Sequence, residues 1–294
     1  MKLCFLLLSA FLTGNCYAQS FELLVLGTAQ DAGYPQAGCE KSCCDSVENT
    51  ETVASVAIAL ENKFWIIDAT PDFTEQLSTA KHQYPDSKLA GIFLTHAHIG
   101  HYTGLMYLGR EAMNADSLPV YCMPRMADFL RNNGPWSQLV KLGNIRVIEL
   151  KEGGSTALSA KVSITTFEVP HRDEFSETVG YIVASQEKKA LYLPDIDKWS
   201  RWSQPISNYV KMMDILLLDA TFYNNDELPN RAMSEIPHPF VTESLKEFEL
   251  LDASDKPKVH FIHFNHTNPL LHNGKEVKEV EKAGHHVART GMKL

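Results

Sequence analysis

The chain has 294 residues, 44% hydrophobic and 21% charged, a balance that fills an ordinary packed core and excludes disordered, collagen-like and coiled-coil classes. Its 27 basic and 36 acidic side chains give a net charge of −9. With no run or stripe of Lys and Arg to displace phosphate counterions, that sign argues against a nucleic-acid partner.

Residues 1–18 pair Lys2 with the apolar run Leu3–Leu12, too short to span a bilayer, and end on Cys16-Tyr17-Ala18. They read as a signal peptide cleaved after Ala18, so the mature protein is expected to be exported, periplasmic or secreted. Lipid anchoring at Cys16 is the weaker alternative, because Asn15 fits poorly before the cysteine. No later stretch is long and apolar enough to form a transmembrane segment.

From Gln19 to Leu294 the chain reads as one domain. A strand over Phe21–Gly27 leads into a long irregular segment, Thr28–Thr52. Strands follow at Val53–Leu60 and Phe64–Asp68, a helix at Asp72–His82, and a strand at Leu89–Thr95. Further on come a strand at Leu118–Cys122, a helix at Met126–Asn132, and strands at Ile145–Leu150, Val162–Val169, Val179–Ala184, Ala190–Pro194 and Ile215–Asp219. After a second irregular segment, Phe222–Pro239, the pattern gives a helix at Val241–Leu251, a strand at Val259–His263 and a helix near Lys275–Ala283. Many strands with helices interspersed predict an α+β fold: two mixed sheets packed face to face, helices on the outer faces. Long irregular segments inside a compact domain are usually functional.

The sharpest chemical signal is Thr95-His96-Ala97-His98-Ile99-Gly100-His101, directly after the apolar strand Ala90–Leu94. In extended backbone His96 and His98 point the same way, and a turn at Gly100 brings His101 beside them. Neutral imidazoles so spaced supply most of a coordination sphere for Zn²⁺ or a similar ion. The second signal is Cys39-Glu40-Lys41-Ser42-Cys43-Cys44. Three close thiolates plus one more ligand, for which His266 is available, would make a closed structural Zn²⁺ site; in an exported protein a disulfide is the rival. Cys122 reads as a buried apolar cysteine.

The histidine cluster resembles the metallo-β-lactamase superfamily signature His-x-His-x-Asp-His at a strand end. Asp68, His171, Asp195 and His263 also follow strands in the order that family uses. The resemblance implies a four-layer αββα sandwich in which His96, His98 and His171 hold one metal ion and His101 and His263 a second, with Asp195 between them. By the same resemblance Asp68 would orient a ligand from behind and His238 would donate a proton to the leaving group; Asp219, ending the run Asp214–Leu218, either orients another ligand or only finishes its strand. The cysteines and the late His263-x-x-His266 resemble a branch of the superfamily that includes the cyclic phosphodiesterase of phosphonate metabolism and the PQQ-biosynthesis protein B.

The sequence departs from the signature at Gly100, which stands where the motif has an aspartate ligand. One metal site is therefore expected to be firm and the second conditional on another acid: Asp31 first, with Asp72 and Asp173 weaker. The function implied is an exported metal-dependent hydrolase acting through activated water on a small phosphodiester or other ester-like substrate. Three alternatives stand beside it: a lactonase, an iron oxygenase like the PQQ branch, and a metal-binding or sensory protein without turnover; Fe²⁺ or Mn²⁺ could also take the place of zinc.

Overall fold

The computed structural model describes residues 20–294 except 46, 48, 49, 173, 229–231, 233 and 234. The expected leader with Cys16, and Asp173, lie outside the described residues.

Alternation along β1 (Glu22–Gly27) sends Leu23 and Val25 into one apolar cluster and Leu24 and Leu26 into another, as a strand buried on both faces requires. The first half of the chain builds a six-stranded sheet in the order β1, β2 (Ser55–Leu60), β3 (Lys63–Ile67), β4 (Lys88–Phe93), β5 (Leu118–Cys122) and β6 (Ile145–Glu149). The second half builds a seven-stranded sheet. Its spatial order runs backwards through the chain, from β13 (His286–Val287) through β12 (Val259–Ile262), β11 (Ile215–Asp219), β10 (Lys189–Leu193), β9 (Val179–Ala184) and β8 (Ser163–Glu168) to β7 (Ser155–Ala157).

Both sheets are mixed. In the first, β1–β3 are antiparallel neighbours and β3–β6 run parallel. In the second, β7–β10 are antiparallel neighbours and β10–β13 run parallel. Val56, Ile58 and Phe93 of one sheet meet Ile164, Val183 and Leu217 of the other in the central cluster. Helices α1 (Phe73–Gln83), α3 (Pro124–Asn132) and α4 (Trp136–Lys141) cover the outside of the first sheet; α5 (Ile206–Met212), α6 (Val241–Glu247) and α7 (Lys275–Lys282) cover the second. The expected four-layer sandwich is thus the observed architecture. Helix α1 shows why: Phe73, Gln76, Leu77 and Ala80 form one buried stripe at helical spacing, and burying a side chain such as Phe73 is worth about 1.5–3 kcal/mol.

The expected helix at Val241–Leu251 stops at Glu247, although Phe248 and Leu251 still pack in the core. Helices α4 and α5 and strands β7 and β13 were not anticipated; at two to seven residues they are too short for periodicity to mark. No helix among the described residues is long and apolar enough to cross a membrane.

Parallel strands deliver their carboxyl ends to one edge. Asp68 follows β3 and His96 follows β4, while Asp195, Asp219 and His263 sit at the ends of β10, β11 and β12. Among the ties that join the sheets at this edge, the Val179 amide donates to the Thr95 carbonyl at 3.1 Å, and the backbones of Thr28, Gln30 and Phe264 exchange bonds of 2.7 and 2.8 Å.

Candidate metal centre

Beyond β4 the chain stays extended through His98, then turns into the single-turn helix α2 (Ile99–Tyr102), which carries His101 back beneath the strand end. His96, His98 and His171 converge with Asp195, one ligand atom of each lying within 4.8 Å of the others. His96 Nε2 and His98 Nδ1 are 2.8 Å apart, and the Asp195 carboxylate stands 3.5 Å from His96 and 3.6 Å from His171. A second group shares Asp195: His101 Nε2 and His263 Nε2 lie 3.1 and 3.2 Å from Asp195 Oδ2, and Asp31 Oδ1 lies 3.0 Å from His101 Nε2.

Within the first group His96 Nε2 and His98 Nδ1 are hydrogen-bonded, but other converging atoms are left over. Asp31 Oδ1, His101 Nε2, His171 Nε2 and His263 Nε2 are buried yet have no hydrogen-bond partner among the described residues. A buried polar atom without a partner costs about 1–3 kcal/mol. Lone pairs gathered in this way fit divalent cations, and the imidazole and carboxylate donors suit zinc and its neighbours.

The surrounding side chains fix the ligands' orientation. Asp68, fully buried, takes His101 Nδ1 at 2.7 Å and the Thr95 amide and hydroxyl at 2.8–3.0 Å. Thr95 Oγ1 in turn lies 2.9 Å from His96 Nδ1. On the other sheet Asp219 accepts from the amides of Ile196 and Thr221 and from the Thr221 hydroxyl, and holds His238 Nδ1 at 2.8 Å. Thr221 Oγ1 lies 3.0 Å from His263 Nδ1. Asp68 and His263 both adopt a φ of +69°, a strained conformation for residues with side chains, of the kind that concentrates at functional sites.

Burial, reinforced by His101 alongside, holds the His96 pKa well below the ordinary imidazole value, so the ring is neutral and can offer a lone pair to a cation. Burial likewise lowers His98. For Asp195 burial opposes charge, but His263 and His171 override it and pull the carboxyl well below its usual range. Asp31 behaves alike, with His101 and His263 overriding its burial. His238 is raised to about 9, the Asp219 carboxylate outweighing desolvation.

His238 also lies 3.3 Å from Asp195 and lines a cavity of about 300 Å³ with Gln30, Arg172, Phe222, Glu235 and Ile236. Both long irregular segments thus border the centre. Apart from it, Cys39, Cys43, Cys44 and His266 bring their ligand atoms within 4.8 Å of one another, all three thiols are free, and His266 Nδ1 is buried without a partner among the described residues. Cys43 is pushed up to about 11 by burial and by Cys44. Cys122 is fully buried among apolar side chains.

Asp72 stands outside both groups; its carboxylate accepts the Val53 amide at 2.8 Å at the start of α1. Sequence reasoning missed Thr95, Thr221, Glu174, 3.3 Å from His98 Nε2, and Asp197, 3.5 Å from His171 Nδ1. Only Asp197 had a usable signal: it lies two residues past Asp195, on the same side of an extended segment.

Residues 65–264 match the model of the β-lactamase superfamily domain. The chain is similar to the coenzyme PQQ synthesis protein B of Gluconobacter oxydans, 26% identical over an alignment of 307 positions, gaps included, that covers 92% of this chain and 97% of that protein. The corresponding protein of Cupriavidus necator is 25% identical over 92% of this chain and 98% of its own length. Among solved structures, Zn²⁺-bound PqqB from Methylobacterium extorquens superposes with a TM-score of 0.77 at 21% identity, covering 93% of this chain and 99% of that one. A diphosphatase of the PhnP family follows at 0.68 and 24%, covering 93% and 96%.

Proposed function

The chain belongs to the β-lactamase superfamily, whose matched domain contains every ligand from His96 to His263, and on that premise we propose an exported, metal-dependent hydrolase acting on a small phosphodiester or a related ester. The observation that carries the reading is the convergence on Asp195 of side chains from both sheets, several of whose buried ligand atoms have no partner among the described residues. His96, His98 and His171 would hold one cation and His101, His263 and the shared Asp195 a second. When bound, the ions supply a water ionised near neutral pH and a Lewis acid for the substrate oxygen.

The chain's own residues do the rest. Asp219 holds His238 through Nδ1, favours the protonated ring and leaves Nε2 as the nitrogen that would give a proton to the departing oxygen. Arg172 brings a permanent cation to the cavity beside His238, which suits a substrate carrying a single negative charge, and Phe222 and Ile236 offer apolar wall for its organic part. The similarity to a PhnP-family diphosphatase supports phosphorus chemistry. Export rests on the leader-like residues 1–18.

The test is turnover by the zinc-loaded chain of bis(p-nitrophenyl) phosphate against a panel of lactones, with the iron-loaded chain assayed in parallel for oxygen consumption. Phosphodiester cleavage abolished by His96→Ala and lowered at least 100-fold by His238→Gln is expected. Fully loaded protein that turns over none of them, or that consumes oxygen only with iron, overturns the reading.

A further inference from the structure

Position 100 carries no side chain, and the space a side chain would take is filled from elsewhere. A Cβ built on Gly100 would stand 2.5 Å from Asp31 Oδ1 and would overlap the Asp31 Cα as well. The contacted atom is the same oxygen that faces His101 Nε2 at 3.0 Å and His263 Nε2 at 3.9 Å, buried and without a hydrogen-bond partner among the described residues. Asp31 and a side chain at position 100 therefore exclude each other.

The loop that carries Asp31 is built to stay there. The Gln30 amide donates to the Phe264 carbonyl at 2.8 Å and the Gln30 side chain accepts from Asn265 Nδ2 at 2.6 Å, so the residue before Asp31 is clamped to the residues just after His263. The turn closes where the Gly33 amide donates to the Gln30 carbonyl, with Gly33 at a φ of +71°, which glycine adopts without strain. The Tyr34 and Glu51 backbones then pair in both directions. Neither Asp68, occupied by Thr95 and His101 Nδ1, nor Asp72, bound to the Val53 amide, competes for the position.

We propose that Asp31 and Gly100 are a matched pair, in which glycine clears the volume that lets Asp31 serve as the terminal carboxylate ligand of a second divalent cation, alongside His101, His263 and the shared Asp195. The proposal deepens the metal-centre reading and rests on it. The second site is complete in this arrangement: two imidazoles and two carboxylates, three from strand ends or the turn after β4 and one from the loop after β1.

The test is elemental analysis of the full chain after zinc loading and gel filtration, in a Cys44→Ser background that removes the thiolate site, with circular dichroism as the check on folding. The parent is expected to retain two zinc ions. Asp31→Asn should retain one, and so should Gly100→Ala, whose new methyl group displaces an unaltered Asp31. The exchange Asp31→Gly with Gly100→Asp, which returns the carboxylate from the other side of the same volume, should regain the second ion. Two ions retained in folded Asp31→Asn, or a folded exchange variant that stays at one, overturns the matched pair while leaving the metal centre standing. A parent that retains none removes both readings together.

Discussion

Tyr181 of β9 donates its hydroxyl to the carbonyl of Leu94, at the end of β4, across 2.6 Å of buried interior. The bond joins the two sheets two residues before His96, so a packing interaction also sets where His96 leaves its strand. In Tyr181→Phe the carbonyl is left without that donor, a loss of about 1–2 kcal/mol. Urea unfolding should show a lower midpoint at an unchanged slope, and an unaltered midpoint would mean the carbonyl finds another donor.

Asp68 touches no expected cation, yet it holds the far nitrogen of His101 and the Thr95 hydroxyl that faces His96. Replacing it by Asn keeps the volume and removes the charge that orients both rings. Affinity for the active-centre ions should fall about 10–100-fold in a chelator competition, with folding intact. Equal affinity would confine Asp68 to a structural role.

The thiols of Cys39, Cys43 and Cys44 are free and converge with His266, whose Nδ1 has no partner among the described residues. A chain beginning at Gln19 should show four titratable thiols when unfolded without reductant, since Cys122 is also free. His266→Ala should release one zinc ion and lower the melting temperature, because a metal that binds only the folded chain adds its binding energy to stability. A count of two thiols would establish the disulfide that the spacing also allowed.

His238 in the metal-free protein sits at about 9, above the roughly 6.5 of an unfolded histidine. A raised folded-state value means that its protonated pairing with Asp219 stabilises the fold fully below pH 6.5 and that this contribution fades as pH rises through 9. The difference in unfolding free energy between the parent and His238→Gln, both metal-free, should be larger at pH 6 than at pH 10 by about 3 kcal/mol. A flat difference would place the ring's titration outside that window.

What the sequence disclosed and what it hid follow from the same physics. Asp68, His96, Asp195 and His263 were visible because each follows an apolar run long enough to be a strand, and strand ends are where a sheet presents functional groups. The αββα layering was visible in the count and order of those runs. Thr95 and Thr221 were not, since a hydroxyl that steers an imidazole carries no spacing of its own. Helices α4 and α5 were invisible for want of length. Asp31 could be suspected from its place after β1, but the reason it fits, the volume cleared by Gly100, exists only in three dimensions.

The centre draws His96, His98 and His101 from the first half of the chain and His171, Asp195 and His263 from the second. Neither half alone can grip an ion in that geometry, so occupancy reports on the union of the halves. At a free ion level one hundred times the dissociation constant, each ion favours the joined state by about 2.7 kcal/mol. Stripping the metal should therefore quicken amide exchange along the seam between the sheets, at Thr95, Val179 and Phe264, well before it touches the helices outside.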